Sequence, residues 1–269
     1  MRVNKRIITL SALLIIICTS IFIFINKETE EVIQTSASTL SNAKIGWGIK
    51  RAENHEQPDL GSKNKALLDK YDGISIGNSE KPCVYLTFDA GYEAGYTEKI
   101  LQTLKDNNVT ATFFITAHYV NTAPELVQKM IDNGNIVGNH TVNHKSMPSL
   151  TDEQIKTEIN TLHTTIYEKF GYDMKYIRPP MGESSERTLS LTNNLGYTTV
   201  MWSFAYDDWN EDNQKGVEYA KEKILNNVHN GAVILLHGNS SDNCNVLDFI
   251  IKEIKNMGYE FKSLDEFDK

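Results

Sequence analysis

From residue 83 to residue 262 the chain alternates between short apolar runs and longer amphipathic stretches bounded by helix caps and glycines. This alternation leaves few folds open. A strand followed by a helix returns to a parallel neighbour, so the chain must build a parallel sheet with helices outside it. The strand candidates are residues 83–88, 110–115, 135–139, 175–177, 197–203, 232–237 and 259–262; the helix candidates are 96–107, 124–131, 151–170, 185–194, 215–228 and 246–257. Asn133-Gly134, Gly171, Gly196, Asn230-Gly231 and Gly258 supply the stops, because glycine accepts the left-handed backbone that ends a helix. Thr151 with Gln154 three residues later has the form of a capping box. About seven β-α units result, and a nearly closed barrel and a doubly wound sheet both satisfy them. Asp89, His140, Arg178 and His237 stand at or just after the ends of four strand candidates. Such ends converge on one rim of a barrel but are spread along an open sheet. The expectation is therefore α/β, a distorted (β/α)7–8 barrel, preceded by a transmembrane helix.

That helix is expected from residues 7–25, which carry no charged side chain, with Arg2, Lys5 and Arg6 before them and Glu28, Glu30 and Glu31 after. A run of this length can cross a bilayer, and its basic flank belongs in the cytoplasm. The run exceeds the apolar core of a cleaved signal peptide, which favours an uncleaved anchor; Ser36-Ala37-Ser38 is a weak cleavage candidate, so secretion stays an alternative. Residues 1–25 read as tip and anchor, 26–44 as a linker, 45–80 as an N-terminal extension and 81–269 as the main domain. The net charge of −8 and pI near 5.4 argue against nucleic acid, which needs a basic face. Apart from Cys18, only Cys83 and Cys244 are present. They make no disulfide framework, and Cys83, opening an apolar run, reads as a buried free thiol, although a single bridge between the two stays open.

The polar residues at the strand ends carry the chemistry. His140 and His144 are spaced i, i+4, which on a helical turn sets both imidazoles on one side, able to grip one metal ion; two unrelated histidines are the competing reading. Asp89 follows an apolar strand, and a carboxylate there must be paired or functional. Arg178 is its natural partner, with Pro179-Pro180 stiffening the backbone. His237 ends the most apolar strand, and Asp208-Trp209 precedes it by some thirty residues. A structural ion pair, a surface turn and a core histidine are the plain readings of these three. Together they suffice for metal-assisted hydrolysis: a cation to polarise water and carbonyl, a carboxylate to take a proton and a histidine to return one. A Gly-x-Ser-x-Gly elbow, a P-loop and a dinucleotide fingerprint are absent from the sequence.

Five ordered motifs, Thr87-Phe88-Asp89-Ala90-Gly91, His140-Thr141-Val142-Asn143-His144, Arg178-Pro179-Pro180-Met181-Gly182, Asp207-Asp208-Trp209 and Leu235-Leu236-His237, resemble the polysaccharide deacetylases of carbohydrate esterase family 4, the NodB-type domain. The likeness covers roughly residues 80–268. Gly91-Tyr92-Glu93, Asn213-Gln214-Lys215-Gly216, Gly46-Trp47-Gly48 and His55-Glu56-Gln57-Pro58 are similar to the delta-lactam-biosynthetic branch. The resemblance implies Asp89 as general base, His140 and His144 as ligands of a divalent metal cation (zinc or another transition metal), and Arg178 as the residue holding Asp89. It implies His237 as general acid, Asp208 as the residue orienting it, and Trp209 and Leu235 as walls of an acetyl pocket. The family often has a second aspartate as third metal ligand, where this chain has Ala90, and often an acidic residue where it has Ala205.

The function implied is removal of the N-acetyl group from N-acetylmuramic acid in peptidoglycan, a step toward the muramic delta-lactam of spore cortex. The expected partners are peptidoglycan glycan strands and, through the N-terminal helix, the membrane; a monomer facing the cell wall is expected. Deacetylation of N-acetylglucosamine in peptidoglycan or chitin-like chains is the alternative enzyme, with xylan O-deacetylation more distant. Ala90 also leaves open a catalytically silent glycan-binding module.

Overall fold

The computed structural model describes residues 40–268; the apolar run 7–25 lies outside them. No helix among the described residues is long and apolar enough to cross a membrane. Asn42–Lys269 form one compact unit, built around seven strands. In chain order its elements are β1 (Ile45–Gly46), α1 (Ser62–Lys70), β2 (Cys83–Ala90), α2 (Thr97–Asp106), β3 (Thr112–Ile115), α3 (Ala117–Thr122), α4 (Pro124–Asp132), β4 (Ile136–Asn139), α5 (Asp152–Phe170), β5 (Tyr176–Ile177), β6 (Glu183–Ser184), α6 (Glu186–Asn194), β7 (Thr198–Thr199), α7 (Val217–Leu225), β8 (Ala232–His237), α8 (Ser241–Asn256) and β9 (Glu260–Phe261). The main sheet runs β7-β5-β4-β3-β2-β8, with β9 also beside β2, and every pairing in it is parallel.

The period-2 alternation of the strands assigns their two faces. Val84, Leu86, Phe88 and Ala90 of β2, Phe113 and Ile115 of β3, and Ala232, Ile234 and Leu236 of β8 pack outward into the layer of helices. Cys83, Tyr85, Phe114, Ile136 and Val233 point the other way and fill the inside of the curl. Each such large side chain taken out of water contributes roughly 1.5–3 kcal/mol. Gly138 in β4 is required by this packing, since a Cβ there would meet Phe114 Cδ1 at 2.5 Å.

The sheet curls into a half-barrel. Past β7 the chain leaves regular pairing: Val200 bridges Ile74, and Phe204 forms an isolated parallel bridge with Ile234 of β8. Ser203 N and Phe204 N both donate to Val233 O, and Leu235 N donates to Phe204 O. The strand expected over 197–203 shortens to two residues because this segment changes partner as it crosses from the β5 side to β8.

Other departures have local causes. Six-residue α3 was not expected; Thr116 caps it by accepting from Tyr119 N, and Pro124 follows closely, so the stretch has the look of a loop. Helix α8 starts five residues earlier than expected, capped by Ser240, because its first turn is polar. The Thr151–Gln154 capping box and the left-handed Gly171 stop of α5 are present as expected. Residues 45–80 belong to the same unit: β1 pairs antiparallel with β6, and Trp47 Nε1 donates to Trp202 O at 2.8 Å.

Candidate active site

The parallel register sets Asp89 beside His237 on β2 and β8, while His140 and Arg178 immediately follow β4 and β5. All four therefore reach the same end of the sheet, where a cavity of about 1110 Å³ opens.

Asp89 is nearly buried and Arg178 fully so. Arg178 Nη1 donates to Asp89 Oδ1 at 2.8 Å. The rest of its guanidinium is committed as well: Nε donates to Val200 O, and Nη2 to Thr87 Oγ1 and more weakly to Met201 O. Its Cζ lies over the Phe114 ring, 4.3 Å from the centroid, a favourable arrangement for a desolvated cation. Burial alone would raise the Asp89 pKa, but Arg178, with His140 and His237, holds it below the usual carboxylate value. The outcome is an ionised carboxylate with Oδ2 turned toward His140 Nε2 at 3.5 Å.

His140 Nδ1 lies 2.8 Å from Arg178 O. A carbonyl only accepts, so Nδ1 carries the proton and Nε2 keeps its lone pair. Burial pushes the His140 pKa down to about 4 and lowers that of His144 too, so both imidazoles are neutral at neutral pH. Their ring centroids are 4.7 Å apart. The pair meets as the spacing suggested, but not on a helical turn: residues 140–145 are a loop with positive φ at Thr141 (68°) and His144 (53°). Glu158 of α5 secures that loop, accepting Asn143 N at 2.7 Å and Asn143 Nδ2 at 2.6 Å, and Thr141 Oγ1 accepts His144 N.

On the opposite strand His237 Nδ1 donates to Asp208 Oδ1 at 2.7 Å and His237 N to Asp208 Oδ2 at 2.8 Å. Burial would lower the His237 pKa, but the Asp208 charge and hydrogen bond outweigh it and raise the pKa above its ordinary value. The site thus pairs a carboxylate biased toward its base form with an imidazole biased toward its acid form, a division of labour suited to proton transfer in two directions.

Leu235 is buried and lines the cavity, whereas Trp209 is 60% exposed and stands at its rim. Tyr92 and Asn239 meet there as well, both bonded to Glu211. All eight residues singled out in the sequence lie in or against this one region. Three more were missed, and Gln214, noted only within the Asn213-Gln214-Lys215-Gly216 motif, joins them. Asn243 supports Asp208 and Tyr206 in turn supports Asn243, Glu158 supports the histidine loop, and Gln214 Nε2 donates to Asp208 O while its Oε1 accepts from Ser240 Oγ. Glu158 falls within the apolar stripe Ile155, Ile159, Leu162 of α5, and Asn243 lies four residues before Leu247 on the buried face of α8; a polar residue in such a stripe is the signal that finds them.

Two neutral imidazoles, one with Nε2 freed by a backbone contact, fit a divalent transition-metal cation. No group of three His, Cys, Asp or Glu arranged for a metal occurs among the described residues, and Ala90 supplies no donor.

Residues 76–200 match the polysaccharide deacetylase family. Over 231 residues the chain is 44% identical to the Bacillus subtilis peptidoglycan-N-acetylmuramic acid deacetylase PdaA, covering 86% of this chain and 88% of that protein. The chain is a polysaccharide deacetylase of carbohydrate esterase family 4. As such it is a hydrolase of N-acetyl amide bonds. The solved structure of PdaA superposes on the deacetylase with a TM-score of 0.83, covering 85% of this chain and 98% of that one. A family 4 carbohydrate esterase from Bacillus anthracis gives 0.72 at 39% identity, with 85% and 98% covered. A Bacillus cereus peptidoglycan-N-acetylglucosamine deacetylase is 32% identical over 203 residues, 73% of this chain and 72% of that protein.

Proposed function

We propose that the deacetylase removes the acetyl group from N-acetylmuramic acid in peptidoglycan, and that the amine it frees is the one that later closes on the lactyl carboxyl as muramic delta-lactam. The likeness to PdaA supports the sugar. The observation that carries the chemistry is the opposed bias of Asp89 and His237 across one cavity.

Asp89 Oδ2 takes a proton from a water, whose oxygen attacks the acetamide carbonyl carbon. Arg178 keeps the carboxylate ionised and aimed beforehand. As the C–N bond breaks, His237 gives its Nε2 proton to the departing nitrogen, and Asp208 stabilises the imidazolium until then. Water and amide become acetate and a free amine. Leu235 bounds the space for the acetyl methyl, with Trp209 at its mouth. A divalent cation, zinc or another transition metal, would be held by His140 and His144 and, when bound, would polarise the carbonyl and offset charge developing on its oxygen.

The proposal includes export of a monomer, with residues 7–25 as signal anchor and the catalytic domain facing the cell wall; the uncharged run with its basic flank supports it. Two other readings have specific support. Likeness to the Bacillus cereus enzyme favours N-acetylglucosamine, and Ala90 favours a silent glycan-binding module.

Mass spectrometry of muropeptides after incubation with peptidoglycan lacking stem peptides decides among them. Metal-dependent acetyl loss from muramic acid, abolished in Asp89→Asn and restored by added divalent cation after chelation, is the expected result. Loss from glucosamine instead would replace the sugar in the proposal. Glycan binding without acetyl loss would overturn the enzymatic reading of this site.

A further inference from the structure

We propose that Asn243 is a positioning residue that locks Asp208 against His237 and so holds the proton donor in line with the cavity; this rests on the reading of His237 as general acid. Asn243 is fully buried in the first turn of α8. Its Nδ2 donates to Asp208 Oδ2 at 2.5 Å and, more weakly, to His237 O at 3.3 Å. Its Oδ1 accepts from the Tyr206 hydroxyl.

The direction of the amide follows from its neighbours. Burial, reinforced by Asp208, keeps the Tyr206 pKa well above its ordinary value, so the phenol stays protonated and donates. Oδ1 must therefore face Tyr206, which turns Nδ2 toward the carboxylate. Asp208 Oδ2 then accepts from Asn243 Nδ2 and His237 N, and Oδ1 is left for the imidazole. A carboxylate fixed at one oxygen by two donors cannot rotate away from the ring. The titratable groups facing this point are Tyr206, Asp207 and Asp208 from the 206–208 segment, His237 from β8, Asp242 on α8 itself and, beyond His237, Asp89, Arg178 and His144.

The test compares the full chain in detergent with Asn243→Ala and Asn243→Asp. It follows acetate release from N-acetylated peptidoglycan glycan against pH, and the Nδ1–H signal of His237 by NMR on protein with labelled histidine. Asn243→Ala is expected to lower kcat roughly 10–100-fold, the cost of a small misplacement, with KM nearly unchanged and the Nδ1–H signal broadened. In Asn243→Asp the new carboxyl adjoins Asp208, so its pKa is raised. While protonated it donates to Asp208 and restores turnover; as it ionises, turnover falls, so the alkaline limb lies at lower pH than in the parent.

Folded variants with the parent's kcat and pH profile would overturn the proposal. So would equal losses in both variants at every pH with an unchanged Nδ1–H signal, which indicate packing alone. Should Asn243→Ala fail to fold, the pH profile of Asn243→Asp decides. If the parent's His237 titration does not follow its alkaline limb, the acid reading fails, while the Nδ1–H signal still decides whether Asn243 locks the pair.

Discussion

Arg178 serves the proposed base and the fold through one guanidinium, whose four hydrogen bonds reach Asp89, Thr87, Val200 and Met201. Truncation to alanine leaves Asp89 as a buried charge without its partner, a loss of about 3–5 kcal/mol, and also frees Val200 and Thr87 from their donor. Denaturant unfolding of Arg178→Ala should show a loss of this order. Asp89→Asn should unfold much nearer the parent while its acetate release falls to background. The acid side has its own signature. The His237 pKa is raised, so the imidazole remains protonated above the ordinary histidine range, and the alkaline limb of the rate profile should lie above pH ~6.5. Asp208→Asn removes the charge that opposes burial. The proton then leaves at lower pH, and the limb should move in the acid direction, with kcat down by two or more orders of magnitude by analogy with the carboxylate of other His–Asp pairs. A pH–rate series on the two proteins reads both effects.

At the scale of elements, the His140–His144 loop is held in place by a helix it does not belong to. Asn143 donates from N and Nδ2 to the two carboxylate oxygens of Glu158, across from two residues with positive φ, where non-glycine backbone is under strain. Glu158→Ala should weaken zinc binding by about 10–100-fold, as loss of outer supports commonly does, and Glu158→Gln should recover part of it by pairing amide to amide; calorimetric titration with zinc measures both. This loop also marks where sequence reading stops. The spacing of the two histidines correctly brought them together, but for a helix that does not exist: the rings meet because Thr141 and His144 turn the backbone, and a left-handed non-glycine residue leaves no mark in a sequence. The strands were legible where both faces are apolar, as in 83–88 and 232–237. They were not where the chain changes partner, as in 197–203, because pairing is a property of neighbours far away in sequence. Glu158 lay inside an expected helix and Asn243 just before one, and neither was singled out, although their place in apolar stripes distinguishes them.

At the scale of the whole molecule, the segment 45–80 is fastened to the loop after Arg178. Trp47 N donates to Gly182 O and Trp47 Nε1 to Trp202 O, and β1 completes a two-stranded ribbon with β6. Gly182 has a φ of 62°, and a Cβ there would stand 2.5 Å from Trp202 Cη2. Gly182→Ala should therefore destabilise the chain by on the order of 1–3 kcal/mol, through overpacking and an unfavourable backbone. A chain beginning after residue 60 should melt at a lower temperature and show a raised KM for glycan, because Met181 and Gly182 line the cavity and lose their brace. Thermal scans and initial-rate measurements check the two variants.

The two described thiols have a consequence for how this protein can be made. Cys83 and Cys244 are both free and buried, and they belong to different cores, Cys83 to the inside of the curl and Cys244 to the outer layer. The sheet stands between them as a wall, so no bridge joins them without dismantling it. The native state of this unit asks nothing of an oxidant or an isomerase, and a strong reductant takes nothing from it. Its described fold can therefore form in a reducing cell interior as well as in an oxidising one.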